Sequence, residues 1–253
     1  MTGNKISLLG RKTYKVTDKI TVNIPTVGLV RGENAEEEEN FWSEAGLFSI
    51  TADDIALDLE KLGVDFTTVS DYSVFIMLFS ARKSDMQDSG ASDLLFNTFN
   101  LWELDLMQSE KGFVFTDASG NVVLNEEIYG KLSDVIVLIT GHKKPKRMKF
   151  ANNFARQRWL KKIKRKKEID AEKRKSAVDN NSGGVLDGII LRLVCNANFP
   201  YDFETINDVT LYDLIYSLKQ IEKDISVSDL MQGRLVGDDL KKYSDKQLSR
   251  YVL

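Results

Sequence analysis

The stretch GFVFTDASGNVVLNEEIYGKLSDVIVLITG, residues 112–141, places a strand signal directly before a helix signal. Two β-prone runs, Phe113–Thr116 and Val122–Leu124, flank a glycine-containing turn, which is the usual pattern of a β-hairpin. The helix that follows ends at Gly141, and its apolar residues recur at helical spacing at Ile128, Leu132, Val135, Ile136 and Ile139. Strand and helix signals in succession predict an α+β protein.

The N-terminal residues predict a β arm that leads into a first helix. In KTYKVTDKITVNIPTVG, residues 12–28, apolar and polar residues alternate, which predicts a short hairpin that ends at Pro25. Acidic residues then precede the apolar segment FWSEAGLFSI. Because negative charge stabilises the positive end of a helix dipole, a first helix is predicted near residues 37–49.

Two further helices are predicted between the arm and the hairpin. Thr51 is suited to cap the N-terminus of a helix that ends at Gly63, and acidic residues follow it in the first turn. Ser70 is suited to cap the apolar segment 71–83, which we expect at the centre of the fold. Residues 84–93 are small and polar, so they are predicted to form a loop.

The C-terminal part reads as helical throughout. Residues 146–178 contain neither Pro nor Gly, which predicts a long exposed helix, and the polar segment 179–184 is predicted to be a linker. Beyond it, the apolar run 184–197 predicts a buried helix in which Cys195 serves as a small hydrophobic residue. A last helix is predicted on the apolar face Leu211, Leu214, Ile215, Leu218 and Ile221.

These elements predict a mostly α-helical α+β protein with three parts. Residues 1–142 form an N-terminal α+β lobe, residues 143–184 form a basic helical connector and linker, and residues 185–253 form a helical C-terminal lobe. Hydrophobic residues make up 42% of the chain and charged residues 29%, so its composition is that of an ordinary globular protein with a packed core.

Positive charge is concentrated in the connector. Residues 143–175 hold 16 Lys and Arg against three acids, or +13, whereas the remainder holds 19 against 35, or −16. The two values add up to the net charge of −3. Opposite fields steer encounter, so this separation favours pairing between molecules, either with another copy or with an acidic partner.

The basic helix allows three interpretations, namely a solvated helix, a protein-docking helix and a nucleic-acid-binding helix. Trp159 lies in helical register with Ile163, which suits docking on protein. Phe154 and Trp159 could instead stack on bases while the cations contact phosphates. The candidate partner-binding residues are Arg156, Arg158, Trp159, Lys161, Lys162, Lys164 and Arg165, together with Phe41 and Trp42 as possible aromatic anchors.

The sequence predicts no catalytic, cofactor-binding or metal-binding residues. His142 is the one histidine and Cys195 the one cysteine, so a histidine metal cluster is excluded and a cysteine–histidine nucleophile pair has little support. Neither G-x-x-x-x-G-K-[ST] nor G-x-G-x-x-G occurs. No apolar run approaches the roughly 20 residues of a membrane-spanning helix, so we expect a cytoplasmic protein without a membrane partner.

Several segments together carry a family resemblance. They are TVNIPTVG (21–28), GVDFTTVSDYSVFIMLF (63–79), GFVFTDASGNVVLNEEIYGKLSDVI (112–136), FPYDFETINDVTLYDLIYSLKQIEK (199–223) and DLMQGRLVGD (229–238). With these segments the chain resembles tail-morphogenesis proteins, often regarded as tail assembly chaperones, of phages that infect Gram-positive bacteria. The resemblance is spread over most of the chain, and its motifs are structural rather than chemical.

The resemblance implies a non-enzymatic protein that acts during tail assembly through protein–protein contacts. Its implied partners are other tail proteins, such as tube or tape-measure proteins, or copies of itself, and no cofactor is implied. We expect it in the cytoplasm of the infected host. The alternatives are a permanent structural component of the virion and a nucleic-acid-binding protein that uses residues 143–175.

Overall fold

The structure is a computed structural model that describes residues 6–87, 89–110, 112–177, 184–196 and 199–235, with only the backbone of 173–177 and 225–235. It is an α+β fold, mostly α, with 54% helix and 11% strand, as the sequence predicts. The predicted linker at 179–184 lies almost entirely outside the described residues, as does the end of the last resembling segment.

The N-terminal half forms the predicted β arm and a series of helices. Strands β1 (Thr13–Lys15) and β2 (Thr21–Asn23) pair antiparallel, with Tyr14 opposite Val22. The helices that follow are α1 (Val27–Arg31), α2 (Ala35–Leu47), α3 (Ala56–Lys61), α4 (Asp71–Met86) and α5 (Ala91–Leu95).

The predicted caps of these helices have different outcomes. Ser70 accepts a hydrogen bond from the Ser73 N–H and starts α4, as predicted. Thr51 does not cap α3, because its N–H and hydroxyl both donate to the Asp54 carboxylate at 2.8 Å. The helix therefore begins only at Ala56. The predicted loop at 84–93 is shorter than expected, since α4 continues to Met86 and α5 starts at Ala91.

The middle of the chain forms a three-stranded antiparallel sheet followed by a helix. The sheet has the order β3 (Asp105–Ser109), β4 (Gly112–Thr116) and β5 (Val122–Leu124), which confirms the predicted hairpin. Helix α6 (Glu126–Thr140) follows and ends at Gly141, whose φ of +68° favours glycine. A side chain at this position would also collide with Ile215.

Within its described residues, the C-terminal half contains the α-helices α7 (Asn153–Ala177), α8 (Val185–Val194) and α9 (Leu211–Leu235), with a short 3-10 helix at Ile206–Asp208. The predicted basic helix is therefore present but begins at residue 153 instead of 146. Cys195 is exposed, so its predicted burial is wrong. The buried residues of α8 are Leu186, Ile190 and Leu193, and a side chain two positions beyond Leu193 points away from that face.

Most buried apolar side chains belong to one cluster, which we call the large core. It contains residues of the β arm, the sheet and helices α2, α4, α6, α8 and α9. Backbone hydrogen bonds of 2.8 Å, from the Val27 N–H to the Val209 carbonyl and from the Leu211 N–H to the Pro25 carbonyl, join residues 25–27 to residues 209–211. The predicted lobe boundaries stay a prediction, but side chains from both predicted lobes share this core.

A second, smaller cluster lies beneath the start of α7, and we call it the connector cluster. Its buried residues are Ala52, Ala56, Leu59, Phe66, Val74 and Leu160. Phe150 and Trp159 are partly buried against them. The connector is thus packed onto α3 and α4 and is not a free spacer between two lobes.

Candidate interaction surface on the basic helix

The inner face of α7 is docked by aromatic and aliphatic contacts. The ring of Trp159 stacks on Phe66 with centroids 5.4 Å apart, and Phe150 meets both rings edge-on. Leu160 is buried beside them. Trp159 was predicted as a partner-binding residue, but its ring is engaged within the molecule and is not available to stack on a base.

Arg147 fastens the segment before α7 to the body of the protein. Its guanidinium donates to the carbonyl oxygens of Phe66 at 2.7 Å and Val69 at 2.8 Å, and to the Asp71 carboxylate at 3.1 Å. Its Nε lies 3.4 Å from Asp53, whose side chain is 7% exposed. Because the contacts with Phe66 and Val69 are to main-chain oxygens, this arrangement depends on the folded loop as well as on charge. We call these contacts the Arg147 latch.

Arg156 is also used within the molecule. Its guanidinium pairs with Glu60, lies 3.4 Å from Asp65 and sits over the Phe66 ring at 5.2 Å. Two further cations of the basic segment pair internally, Lys144 with Asp71 at 3.4 Å and Lys167 with Asp58 at 3.9 Å. Acids of α3, its flanking loops and α4 pair with these cations, so the predicted pairing between molecules depends on the other cations of the basic segment.

The outward face of α7 carries a stripe of exposed cations with an apolar residue at each end. At 3.6 residues per turn, one face of α7, the inner face, carries Arg156, Leu160, Ile163 and Lys167. We call the opposite face of the helix the outer stripe. It consists of Phe154, Arg158, Lys161, Lys162, Arg165 and Ile169. Phe154 is 77% exposed and Ile169 is 42% exposed.

The cations of the outer stripe have no ion pair with any residue that the structure describes. Lys164 is likewise exposed and unpaired in that part of the chain, on the flank of the stripe. At a rise of 1.5 Å per residue, the stripe extends over about 22 Å. The structure therefore separates the predicted cations into an internal set and a set that faces solvent. Helical periodicity in the sequence, with Trp159 and Ile163 taken as the inner face, could have predicted which of these cations face solvent.

The proposed aromatic anchors on α2 are placed differently from one another. Phe41 is fully buried in the large core, so its side chain cannot meet a partner in this conformation. Trp42 is partly buried against the core and lies edge-on to His142, with ring centroids 5.8 Å apart. Its Nε1 donates to Glu38 at 3.0 Å. Both residues are therefore structural in this conformation.

Glu38 joins α2 to α8, which the sequence did not reveal. Its side chain is buried, and its Oε1 accepts the N–H of Leu186 at 2.9 Å as well as the Trp42 indole. Gly184 packs so closely on this carboxylate that a Cβ there would collide with it. A carboxylate at the N-terminus of a helix is favourable, because unpaired N–H groups and the helix dipole meet it there.

Glu44 is a buried acid inside the large core. Its Oε2 accepts the Trp102 Nε1–H at 2.6 Å, while Oε1 has no hydrogen-bond partner among the described residues. Burial raises the pKa of Glu44 to about 7, and the Trp102 hydrogen bond opposes this shift. The sequence gives no signal for this position, because Glu44 follows other acids in a helix that looks solvated on that side.

The described residues do not bring together a set of metal-ligating side chains. Nowhere in the described ranges do three or more His, Cys, Asp or Glu side chains gather to hold a metal ion. The His142 ring shares a 2.8 Å hydrogen bond with the Thr140 hydroxyl, and partial burial of the ring lowers its pKa. Among the helices that the structure describes, none is long and apolar enough to cross a membrane.

Comparisons with known proteins give no relative from which a role could be transferred. No protein-family model, no curated protein and no solved structure matches the chain.

Proposed function

We propose that the protein acts without catalysis in phage tail assembly, as a chaperone-like protein that binds other polypeptides through the outer stripe of α7. The observation that carries this proposal is the set of unpaired cations on a helix whose opposite face is anchored by Trp159, Leu160 and the Arg147 latch. The family resemblance in the sequence supplies the setting, which is assembly of the tail tube or the tape-measure protein.

The chemistry of the stripe indicates the kind of polypeptide that it binds. Phe154 and Ile169 offer apolar contacts at the two ends, and the cations between them attract carboxylates. Exposed ion pairs each contribute only up to about 1 kcal/mol, so such binding is rapid and reversible rather than tight. Reversible binding of an acidic, amphipathic segment is what an assembly chaperone requires, because its partner must later be released.

Co-purification tests this proposal directly. The full chain and a variant with Lys161→Glu, Lys162→Glu and Arg165→Glu are each mixed with the tube or tape-measure protein and separated by size-exclusion chromatography. We expect the unmodified chain to co-elute and the variant to lose co-elution. A control variant with Arg11→Glu, Lys12→Glu and Lys19→Glu has the same change in charge on exposed residues of the β arm and should bind normally.

Equal binding by both variants, or no binding by the unmodified chain, would refute the role of the stripe. A permanent virion component is distinguished by mass spectrometry of purified particles. The chain is retained in the mature virion in that case and absent in the chaperone case.

The second candidate function is nucleic-acid binding, which the unpaired cations also favour. A helix that neutralises several phosphates loses affinity steeply as salt rises, by about 10³–10⁵ between 50 and 200 mM for six to ten contacts. Stacking of Trp159 on Phe66 removes one of the two aromatic residues that this hypothesis used. Fluorescence anisotropy with labelled DNA and RNA at both salt concentrations separates this candidate from protein binding.

A further inference from the structure

An acidic groove lies on another side of the molecule, between α1, the start of α2 and α5. Its lining includes Leu29 and Leu94 and the glutamates Glu33, Glu36 and Glu37, and none of the described residues that line it is cationic. Leu29 is 57% exposed although it is a large apolar residue. We use the name acidic groove for these five residues.

Of the glutamates in the acidic groove, Glu37 is held in place by hydrogen bonds, and Glu33 and Glu36 are exposed. Glu37 accepts the Glu33 N–H at 3.0 Å and the Asn34 side-chain amide at 2.9 Å, which fixes the turn between α1 and α2. Neither Glu33 nor Glu36 forms an ion pair with a residue that the structure describes. The groove therefore presents negative charge beside the apolar side chains of Leu29 and Leu94.

The acidic groove complements the outer stripe of α7 in both charge and polarity. The stripe has cations between two apolar side chains, and the groove has acids beside the exposed Leu29 and the partly buried Leu94. An amphipathic helix that lays such a face into a groove is a recurring mode of recognition. Both complementary surfaces belong to the same chain. A second copy can therefore present an acidic groove to the stripe and a stripe to the acidic groove.

We infer that the outer stripe of one copy docks in the acidic groove of a second copy. This inference rests on the proposed function, since it names a partner for the same stripe. Within one molecule the two surfaces do not meet, because α7 is held against α3 by the connector cluster and the Arg147 latch. The contact joins two different surfaces, so it produces a reciprocal pair of copies or a head-to-tail series.

Charge exchange tests the contact. One variant carries Lys161→Glu and Arg165→Glu, and the other carries Glu33→Lys and Glu36→Lys; Glu37 is left intact because it holds the turn. Sedimentation velocity of the full chain at low salt should show self-association. We expect each variant alone to associate more weakly by roughly tenfold or more, since attractive exposed pairs become repulsive. An equimolar mixture of the two variants should associate as the unmodified chain does.

Two control variants show whether net charge alone accounts for the change. Lys12→Glu with Lys19→Glu, and Glu103→Lys with Glu110→Lys, alter exposed residues outside both surfaces and should leave self-association unchanged. Circular dichroism of each variant establishes that the helices are retained.

The inference is overturned if the unmodified chain stays monomeric at low salt, or if the mixture of variants associates no better than either variant alone. Failure of this inference can be distinguished from failure of the proposed function. Loss of co-elution with the tail proteins on reversal of the stripe would still support that function while self-association fails. Retained co-elution with lost self-association would show that the tail proteins bind elsewhere.

Discussion

The large core and the connector cluster are stabilised in different ways. In the large core, rings pack on one another, with Phe75 lying within 6.3 Å, centroid to centroid, of Tyr72, Phe79, Phe115 and Tyr129. In the connector cluster, a few apolar side chains are supplemented by the polar contacts of Arg147 and Arg156. Regions with few buried contacts open locally at lower cost than the whole protein unfolds. The comparison indicates that α7 can detach locally from α3 and α4 while the large core stays folded.

The largest expected effect comes from the large core. Phe75→Ala removes a fully buried ring and leaves a cavity, so the free energy of unfolding should fall by about 3–5 kcal/mol. Urea denaturation followed by far-ultraviolet circular dichroism measures it. Met77→Ala, an exposed position on the same helix, is the control and should change little. An equally small effect of both substitutions would contradict the description of this core.

The next effect is a pH dependence that also originates in the large core. The pKa of Glu44 is about 7 in the folded protein and lies near 4.5 when the side chain is solvated. The folded state therefore binds this proton more tightly, so the stability that protonated Glu44 contributes is fully present below about pH 4.5 and is lost as pH rises from 4.5 through about 7. A shift of this size corresponds to a loss of about 3 kcal/mol.

Glu44→Gln removes this dependence, because the amide cannot ionise but can still accept the Trp102 hydrogen bond. Urea unfolding at about pH 5 and about pH 8 should show a smaller difference for the variant than for the unmodified chain. Glu103→Gln, an exposed acid, serves as the control and should keep the original difference. A variant whose stability still falls steeply over this range would show that other groups are responsible.

A smaller and local effect is expected at the connector. Arg147→Met removes hydrogen bonds of a charged donor and leaves the buried Asp53 without its cation, which should lower the free energy of local opening by about 1.5–3 kcal/mol. Hydrogen exchange at the Met148 amide, which donates to Asp53 at 2.7 Å, reports this opening.

The control for the connector is the exposed Lys149→Met, which should not accelerate exchange at Met148. Global unfolding should change by less than the local opening does, since the large core does not include Arg147. If Arg147→Met lowered local and global stability equally, the two clusters would unfold as one unit.

The smallest effect is expected at the surface of the large core. Cys195 is exposed beyond the end of α8, so Cys195→Ser should change the free energy of unfolding by no more than about 0.5 kcal/mol. The thiol of the folded protein should react with a thiol reagent at the rate of the urea-unfolded chain. Protection of the thiol in the folded state would mean that it is buried after all.

Local signals allowed the sequence to predict the hairpin and α6 closely. The turn before Val122, the apolar spacing from Ile128 onward and the stop at Gly141 all act over a few residues, and the structure confirms each one. The same holds for α4, where Ser70 caps the helix as its residue type suggests. Such elements are determined by neighbours in the sequence.

The connector could not be predicted to the same degree, because its structure depends on distant residues. Charge density alone shows that residues 143–175 are basic, but Asp53, Glu60 and Asp71 decide which of these cations are paired. The prediction that Cys195 is buried was wrong for a related reason. An apolar run in the sequence predicts a buried helix, but which of its residues face the core depends on how the helix packs against the rest of the protein.

The hydrogen bonds between residues 25–27 and residues 209–211 have a consequence for biosynthesis. Val27 and Leu211 are joined through the segment 25–27 on one side and 209–211 on the other. Residues up to 211 must therefore have left the ribosome before α1 has these partners. Until then the part of the large core that Val209 and Leu211 complete is open to solvent, and exposed apolar surface of this kind favours aggregation of a nascent chain.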